Sequence, residues 1–275
     1  MNAVPEQPTV SVVIPAHNAE KTLERLLDTV TNQTWKALEI ILVNDGSTDG
    51  TEKTAREAAE KDARIAVITQ ENRGVSAARN AGLALCTGKY IRFADADDTL
   101  PHTSIEIMVR RAEKDRSELV IGGFNQYIGD RHSERNLAGR DDTVPFEAIM
   151  KHLCSHANSY FYGVLWNKLF LHSTVKEAEA AFQENLTWGE DFAFVMDCMK
   201  RVNTVSFMKE ALYDYRRTAS SASVKQVFDC VVHPMGNIRV KQELYSHLKA
   251  MYVSRGQYEK YRRRLWHYLF RVGIG

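Results

Sequence analysis

Short apolar runs alternate, along the first half of the chain, with stretches whose apolar residues recur at helical spacing. Val10-Ser-Val-Val-Ile-Pro15 reads as a buried strand stopped by proline, and 22–30 places Leu23, Leu26, Leu27 and Val30 on one helical face. A second apolar run, 38–43, is followed by the turn Asn44-Asp45-Gly-Ser-Thr-Asp-Gly50 and a helical 51–61. The pattern then gives a strand at 64–69, a small-residue helix at 74–85, a strand at 89–94, a helix at 101–114 with Pro101 near its first position, and a strand at 118–124. Strands alternating with helices predict right-handed crossovers and an α/β fold whose sheet is mostly parallel and flanked by helices.

Ligands of such sheets bind beyond the carboxyl ends of the strands. The polar clusters fall at those ends. His17-Asn18 follows the first strand, Asn44-Asp45 the second, and Gln70-Glu-Asn72-Arg73 the third. The fourth, Tyr90-Ile-Arg-Phe-Ala94, runs into Asp95, Asp97 and Asp98. Helix capping explains one of those acids. Three crowded carboxylates repel one another unless a cation sits among them, and hard cations such as Mg²⁺ share oxygen ligands with substrate phosphates. An EF-hand is a poor match, because Leu100 stands where that loop needs glycine. Asp45 suits a base imide or a ribose, and Arg73 and Arg79 suit phosphate. No Gly-x-Gly-x-x-Gly follows the first strand and no P-loop occurs, so the pattern describes a nucleoside-diphosphate site of another kind.

Composition narrows this further. A chain of 275 residues with 44% hydrophobic content builds a sizeable core, and a net charge of +1 gives no reason to expect nucleic acid. Cys86, Cys154, Cys198 and Cys230 have no paired spacing, which points to reduced thiols in a cytoplasm. The opening residues are polar and contain Pro5 and Pro8, so no signal peptide is expected, and no apolar run reaches transmembrane length.

The blocks Val12-Val-Ile-Pro-Ala-His-Asn18, Val43-Asn-Asp-Gly-Ser-Thr-Asp49, Glu71-Asn-Arg-Gly-Val-Ser-Ala-Ala-Arg-Asn80 and Asp95-Ala-Asp-Asp98 resemble, in that order, glycosyltransferase family 2 with its GT-A nucleotide-sugar fold. The resemblance implies a GT-A domain over 1–230, with a donor half over about 8–125 and an acceptor half over about 126–230; the charge pattern sets 231–275 apart as a basic helical segment. It implies that Pro15, His17, Asp45, Asn72, Arg79 and Asp95 lie at the nucleotide, and that Asp97, with Asp95 or Asp98, holds Mn²⁺ or Mg²⁺. The family usually carries an aromatic residue where His17 stands; an imidazole can still stack on a base.

In the second half, 130–145 reads as a surface hairpin or loop and 146–153 as a helix. His152 and His156 share a helix face beside Cys154, but core or surface histidines are the commoner outcome. Val164-Leu-Trp-Asn-Lys-Leu-Phe170 and Thr187-Trp-Gly-Glu-Asp191 resemble the acceptor half of family members that build bacterial surface polysaccharides. By that resemblance Asp191 is the catalytic base of an inverting enzyme, with Glu190 and Trp188 lining the sugar or acceptor site. The rival reading of Glu190 and Asp191 is charge that complements a helix dipole. Leu212-Tyr-Asp-Tyr-Arg-Arg-Thr-Ala-Ser-Ser-Ala-Ser223 resembles a segment in which Arg216 and Ser221 close on the diphosphate; a solvated basic loop is the alternative. Residues 231–275 carry nine basic against two acidic side chains, a balance of +7, beside an aromatic and aliphatic stripe. Docking on its own domain, self-association and contact with an anionic membrane stay open for it.

The expectation is therefore an inverting, metal-dependent transfer from a UDP-sugar to a glycan or lipid-linked glycan, in the cytoplasm or peripheral at the inner face of a bacterial plasma membrane. A sugar-nucleotide nucleotidyltransferase would release pyrophosphate instead. A noncatalytic nucleotide-sugar or glycan-binding module has no use for both the Asp95 cluster and Glu190-Asp191.

Overall fold

The computed structural model describes residues 7–129, 131–137, 141–156, 160–217 and 234–267. The first part of the chain holds β1 (Val10–Ala16), α1 (Leu23–Thr31), β2 (Leu38–Asp45), α2 (Thr51–Lys61), β3 (Ile65–Gln70), α3 (Val75–Ala84), β4 (Tyr90–Phe93) and α4 (Ser104–Asp115). Then come β5 (Leu119–Ile128), β6 (Arg131–Arg135), β7 (Asp142–Pro145), α5 (Phe146–His156), α6 (Tyr160–Gly163), β8 (Lys168–Leu171), α7 (His172–Glu177), α8 (Glu190–Met199) and β9 (Thr204–Arg217). Two further helices follow, α9 (Pro234–Ser254) and α10 (Tyr258–Trp266). The nine strands form one sheet in the order β3-β2-β1-β4-β8-β5-β9-β7, with β6 paired to β5.

The expected α/β alternation places β1 to β4 in a parallel array. Every residue of β1 is buried, as in a strand covered on both faces. Its side chains divide by the period of two. Val13 joins Ile41, Val43, Ile91 and Phe93 on one face, while Val12 and Ile14 join Ile40, Leu42 and the α1 residues Leu23, Leu26 and Val30 on the other. The small residues of α3 bring that helix close to the sheet: a Cβ on Gly82 would stand 2.5 Å from a Val13 methyl.

Beyond β4 the sheet is mixed rather than mostly parallel. Strand β8 runs antiparallel between β4 and β5, and β9 pairs parallel with β5 and antiparallel with β7. The 130–145 stretch supplies β6 and β7. Helix α9 is bound to the rest: Leu244, Leu248, Met251 and Tyr252, with Tyr261 and Leu265 of α10, share a core with Phe192, Phe194 and Met196 of α8. Arg255 donates to the carbonyl of Met199, the last residue of α8, at 3.0 Å. The expected boundary near 230, and Tyr268, Leu269 and Val272 of the expected stripe, lie outside the described residues. No helix among the described residues is long and apolar enough to cross a membrane.

Candidate active site

The parallel strands deliver their polar residues to one rim. Asp45 closes β2 and is 3% exposed. Its Oδ1 accepts from Gln70 Nε2 at 2.8 Å and the Arg73 amide at 2.9 Å, and its Oδ2 from the Gly74 amide at 2.8 Å. Asp45 thus ties the β2 loop to the β3 loop. Gly46 makes that approach sterically possible: at φ +62° its missing Cβ would lie 2.5 Å from the Asn72 nitrogen. His17 is exposed, with Nδ1 2.7 Å from the Asp45 carbonyl, so Nδ1 carries the proton. The Asn72 amide nitrogen is 3.3 Å from both His17 ring nitrogens. Pro15 is buried within β1 and paired with Val43, so it sets where His17 emerges and offers no exposed contact.

After β4 the chain turns, the Asp98 amide donating to the Asp95 carbonyl at 3.1 Å. The three acids part ways here. Asp98 points inward: it is 0% exposed, and accepts from the Tyr213 hydroxyl at 2.8 Å and the Arg216 amide at 2.7 Å. Burial, then the charges of Asp95 and Asp97, push its carboxyl well above the usual range. Asp97 is pushed up to about 6 by burial and by Asp95, with Arg25 opposing. No side chain among the described residues donates to its carboxylate. Asp95 gives Oδ1 to Arg79 at 3.0 Å.

These positions decide how a metal would fit. Among the described residues no group of three His, Cys, Asp or Glu side chains is gathered for an ion. Asp98, expected as a ligand, spends both oxygens on β9. What remains is Asp97, whose raised proton affinity signals an uncompensated negative charge, and the second oxygen of Asp95. Two hard oxygen donors suit Mg²⁺ or Mn²⁺ that completes its shell with phosphate and water. The His152–His156 pair is stacked at 4.2 Å, with His152 Nδ1 held by the Tyr162 hydroxyl at 2.8 Å.

The second part of the chain meets this rim through Arg79. The residue was expected to face phosphate. Instead its buried guanidinium holds Asp95 of the rim together with Glu190 Oε1 at 2.9 Å and Asp191 Oδ1 at 2.7 Å. Burial works against that charge, and Asp191, Asp95 and Glu190 outweigh it, keeping the guanidinium above its ordinary pKa. Phe182 lies 5.5 Å beneath it. Glu190 and Asp191 start α8, whose N-cap is Gly189 at φ +77°; no side chain caps the helix. A Cβ at Gly189 would sit 2.6 Å from Leu244 Cδ1, so α9 fixes where α8 begins. One cation among three carboxylates leaves Asp191 short of compensation. Burial raises its carboxyl well above the usual range, Arg79 opposes, and Glu190 and Asp95 add to the rise. Trp188 is half-buried and packs against the core beside this pair.

Two contacts, one at Lys168 and one at Arg216, were not read from the sequence. Lys168 is fully buried, and its ammonium donates to the Phe161 carbonyl at 2.7 Å, the Val164 carbonyl at 2.5 Å and Asn167 Oδ1 at 2.8 Å. Burial lowers its pKa well below the usual lysine range, and the charge of Asp191 opposes. Arg216 lies over the Tyr127 ring at 4.6 Å. Ser221, the other residue expected at the diphosphate, lies outside the described residues.

The Glycosyl transferase family 2 model matches residues 11–166. The uncharacterized glycosyltransferase EpsJ of Bacillus subtilis is 32% identical over 215 residues, covering 78% of this chain and 62% of its own length. The putative glycosyltransferase EpsH of the same organism is 34% identical over 220 residues, covering 78% and 63%. The chain therefore spans less than two thirds of these curated relatives. The crystal structure of S. aureus TarS 1-349 in complex with UDP-GlcNAc shares the fold, with a TM-score of 0.69 at 16% identity over 94% of this chain and 91% of that one.

Proposed function

The chain belongs to glycosyltransferase family 2, and from that premise we propose that it transfers a sugar from a nucleoside-diphosphate sugar, a UDP-sugar first among candidates, to a hydroxyl of a glycan or lipid-linked glycan. The setting we propose is the assembly of a bacterial surface polysaccharide. One observation carries the reading: a single guanidinium, Arg79, holds an acid of the donor rim, Asp95, and the acid pair that opens α8, Glu190-Asp191.

In this reading the rim of β1 to β4 binds the nucleotide. His17 and Asn72 flank the base, and Asp45 shapes the loop that receives it. Asp95 and Asp97 would hold Mg²⁺ or Mn²⁺, which when bound neutralises the leaving diphosphate as a Lewis acid. Asp191 is the base. A carboxylate made proton-hungry by burial and by Glu190 takes the proton of the acceptor hydroxyl as its oxygen attacks the anomeric carbon. The C–O bond to the diphosphate breaks as the new glycosidic bond forms, and a single displacement inverts the configuration. Arg79 holds the base in place and keeps enough positive charge beside it for Asp191 to act ionised. Trp188 supplies an aromatic wall for the sugar or acceptor.

The test is a screen of UDP- and GDP-sugars for release of the nucleoside diphosphate, with the product's anomeric configuration read by NMR. Release of UDP with inversion is expected. Release of pyrophosphate would replace the reading with nucleotidyl transfer. Donor binding without any release would leave a binding module.

A further inference from the structure

Strand β9 reaches the acidic loop through one side chain that the proposed mechanism does not use. Tyr213 is 0% exposed, yet its hydroxyl makes two hydrogen bonds to the loop. It donates to Asp98 Oδ2 at 2.8 Å and accepts from the Asp95 amide at 3.1 Å. The second bond has a clear origin. Strand β4 ends at Phe93, and the Ala94 amide makes the last bond back to β1, to the Val13 carbonyl at 3.1 Å. The Asp95 amide is the first to leave the sheet, and a buried amide needs a partner.

The ring that carries this hydroxyl is itself clamped. Trp166 stacks on Tyr213 at 4.8 Å and 15°, and on Tyr215 at 5.3 Å and 10°. Phe124 meets the edge of Trp166 at 4.8 Å. Trp166 is 4% exposed, so the clamp is dry. The next residues of that segment are pinned too: the Asn167 carbonyl accepts from the Gly122 amide at 2.8 Å, and Lys168 binds the Phe161 and Val164 carbonyls. On either side of Tyr215 the backbone of β9 also holds the loop, with Asp214 bridging to Thr99 and the Arg216 amide donating to Asp98. Among the side chains of the described residues, only the Tyr213 hydroxyl spans both ends of the turn, Asp95 and Asp98. Asp97, the acid with no side-chain donor among the described residues, sits between them.

We propose that Tyr213, clamped by Trp166, is the positioning residue of the Asp95–Asp98 loop, holding Asp95 and Asp97 in the arrangement that takes a divalent cation together with a nucleoside diphosphate. The inference rests on the proposed donor site. It assigns Asp98 to the support of the loop rather than to the ion, and it gives the Trp166 segment a role across the sheet from the base.

Calorimetry of UDP binding, with and without MnCl₂, tests it on the parent, Tyr213→Phe, Trp166→Phe and Tyr252→Phe. Tyr252 is the control: its hydroxyl is buried against the Met150 carbonyl at 2.5 Å, away from the loop. Tyr213→Phe is expected to keep the parent's affinity for UDP alone and to lose the Mn²⁺-dependent gain by about 10–100-fold, the usual cost of removing an outer-shell partner. Trp166→Phe, which loosens the clamp and keeps the hydroxyl, is expected to lose part of the gain and decides the matter should Tyr213→Phe melt below the assay temperature. Tyr252→Phe is expected to lower the melting temperature and keep the gain. A Tyr213→Phe protein with the parent's full gain, or an equal loss in Tyr252→Phe, overturns the inference and leaves the donor reading standing. A parent that binds UDP with no gain from Mn²⁺ overturns the inference and the proposed metal role; a parent that binds no UDP overturns the donor reading as well.

Discussion

On the proposed donor half, His17, Asp45, Asn72 and Asp95 each stand at or just past the end of a parallel strand, β1, β2, β3 and β4 in turn. On the proposed acceptor half the acid pair does not. Glu190 and Asp191 open a helix, set by Gly189 and by packing on α9, and reach the rim through an arginine more than a hundred residues earlier. A strand end is a local feature, repeated wherever a βα unit occurs. A helix N-terminus aimed at a distant sheet depends on tertiary packing. The fold of the proposed donor half should therefore tolerate the loss of any one rim contact, while the proposed acceptor half should lose both stability and turnover when its link to the rim is cut.

The largest effect is expected where the two halves meet. Arg79→Met removes the cation from Asp95, Glu190 and Asp191 together. Breaking a buried pair from one side costs about 3–5 kcal/mol, so the melting temperature should drop clearly and turnover should be lost. Urea denaturation and donor turnover on the same preparation check this. A variant as stable and active as the parent would dissolve the distinction between the halves.

A smaller effect, confined to the donor half, is expected at Asp97. Asp97→Asn should abolish the gain in UDP affinity from Mn²⁺ while leaving the fold intact. The parent carries the same information in its pH dependence. Asp97 is raised from 3.8 to about 6, so between those values the folded protein keeps a proton that the unfolded chain has lost. The metal-free protein gains stability from that proton at low pH and loses it as pH rises toward 6. A cation needs the ionised form, so Mn²⁺-dependent UDP affinity should climb through the same window and level off above about 6. Titration by calorimetry from acid to neutral pH measures it, and the slope should vanish in Asp97→Asn.

The smallest effect belongs to the outer link between the halves, Arg73–Glu184 at 2.9 Å, with side chains 63% and 42% exposed. Exposed pairs contribute about 0–1 kcal/mol. Glu184→Gln should leave the melting temperature and turnover close to the parent's, and a large loss would mean that the halves are joined at their surface rather than through Arg79.

The same contrast explains what was legible in the sequence. Strands followed by polar residues could be read in order along the donor half, because each burial pattern is local. Arg79 was visible as a basic residue but not as a hub, since nothing in α3 announces carboxylates more than a hundred positions away. Asp98 looked equivalent to its neighbours; only the arrival of β9 turns it inward. Strand β8 was missed because it is short and starts with a buried lysine, whose charge reads as surface until the Phe161 and Val164 carbonyls are seen around it. In α9 the basic residues masked Leu244, Leu248 and Met251, which are fully buried. The role expected of Asp191 came from the resemblance, and the raised carboxyl in the structure supplies a physical reason for it.

Asp191→Asn tests the central claim, that the donor half binds and the acceptor half supplies the base. Asparagine keeps the size and can still accept a hydrogen bond from Arg79, but it cannot take a proton at the pH of catalysis. The measurement is turnover and UDP affinity on one preparation, with the donor and acceptor found by the screen. The account predicts unchanged UDP and Mn²⁺ affinity with turnover lower by about 10²–10⁴, the usual contribution of a positioned base. Turnover at the parent's rate would contradict it.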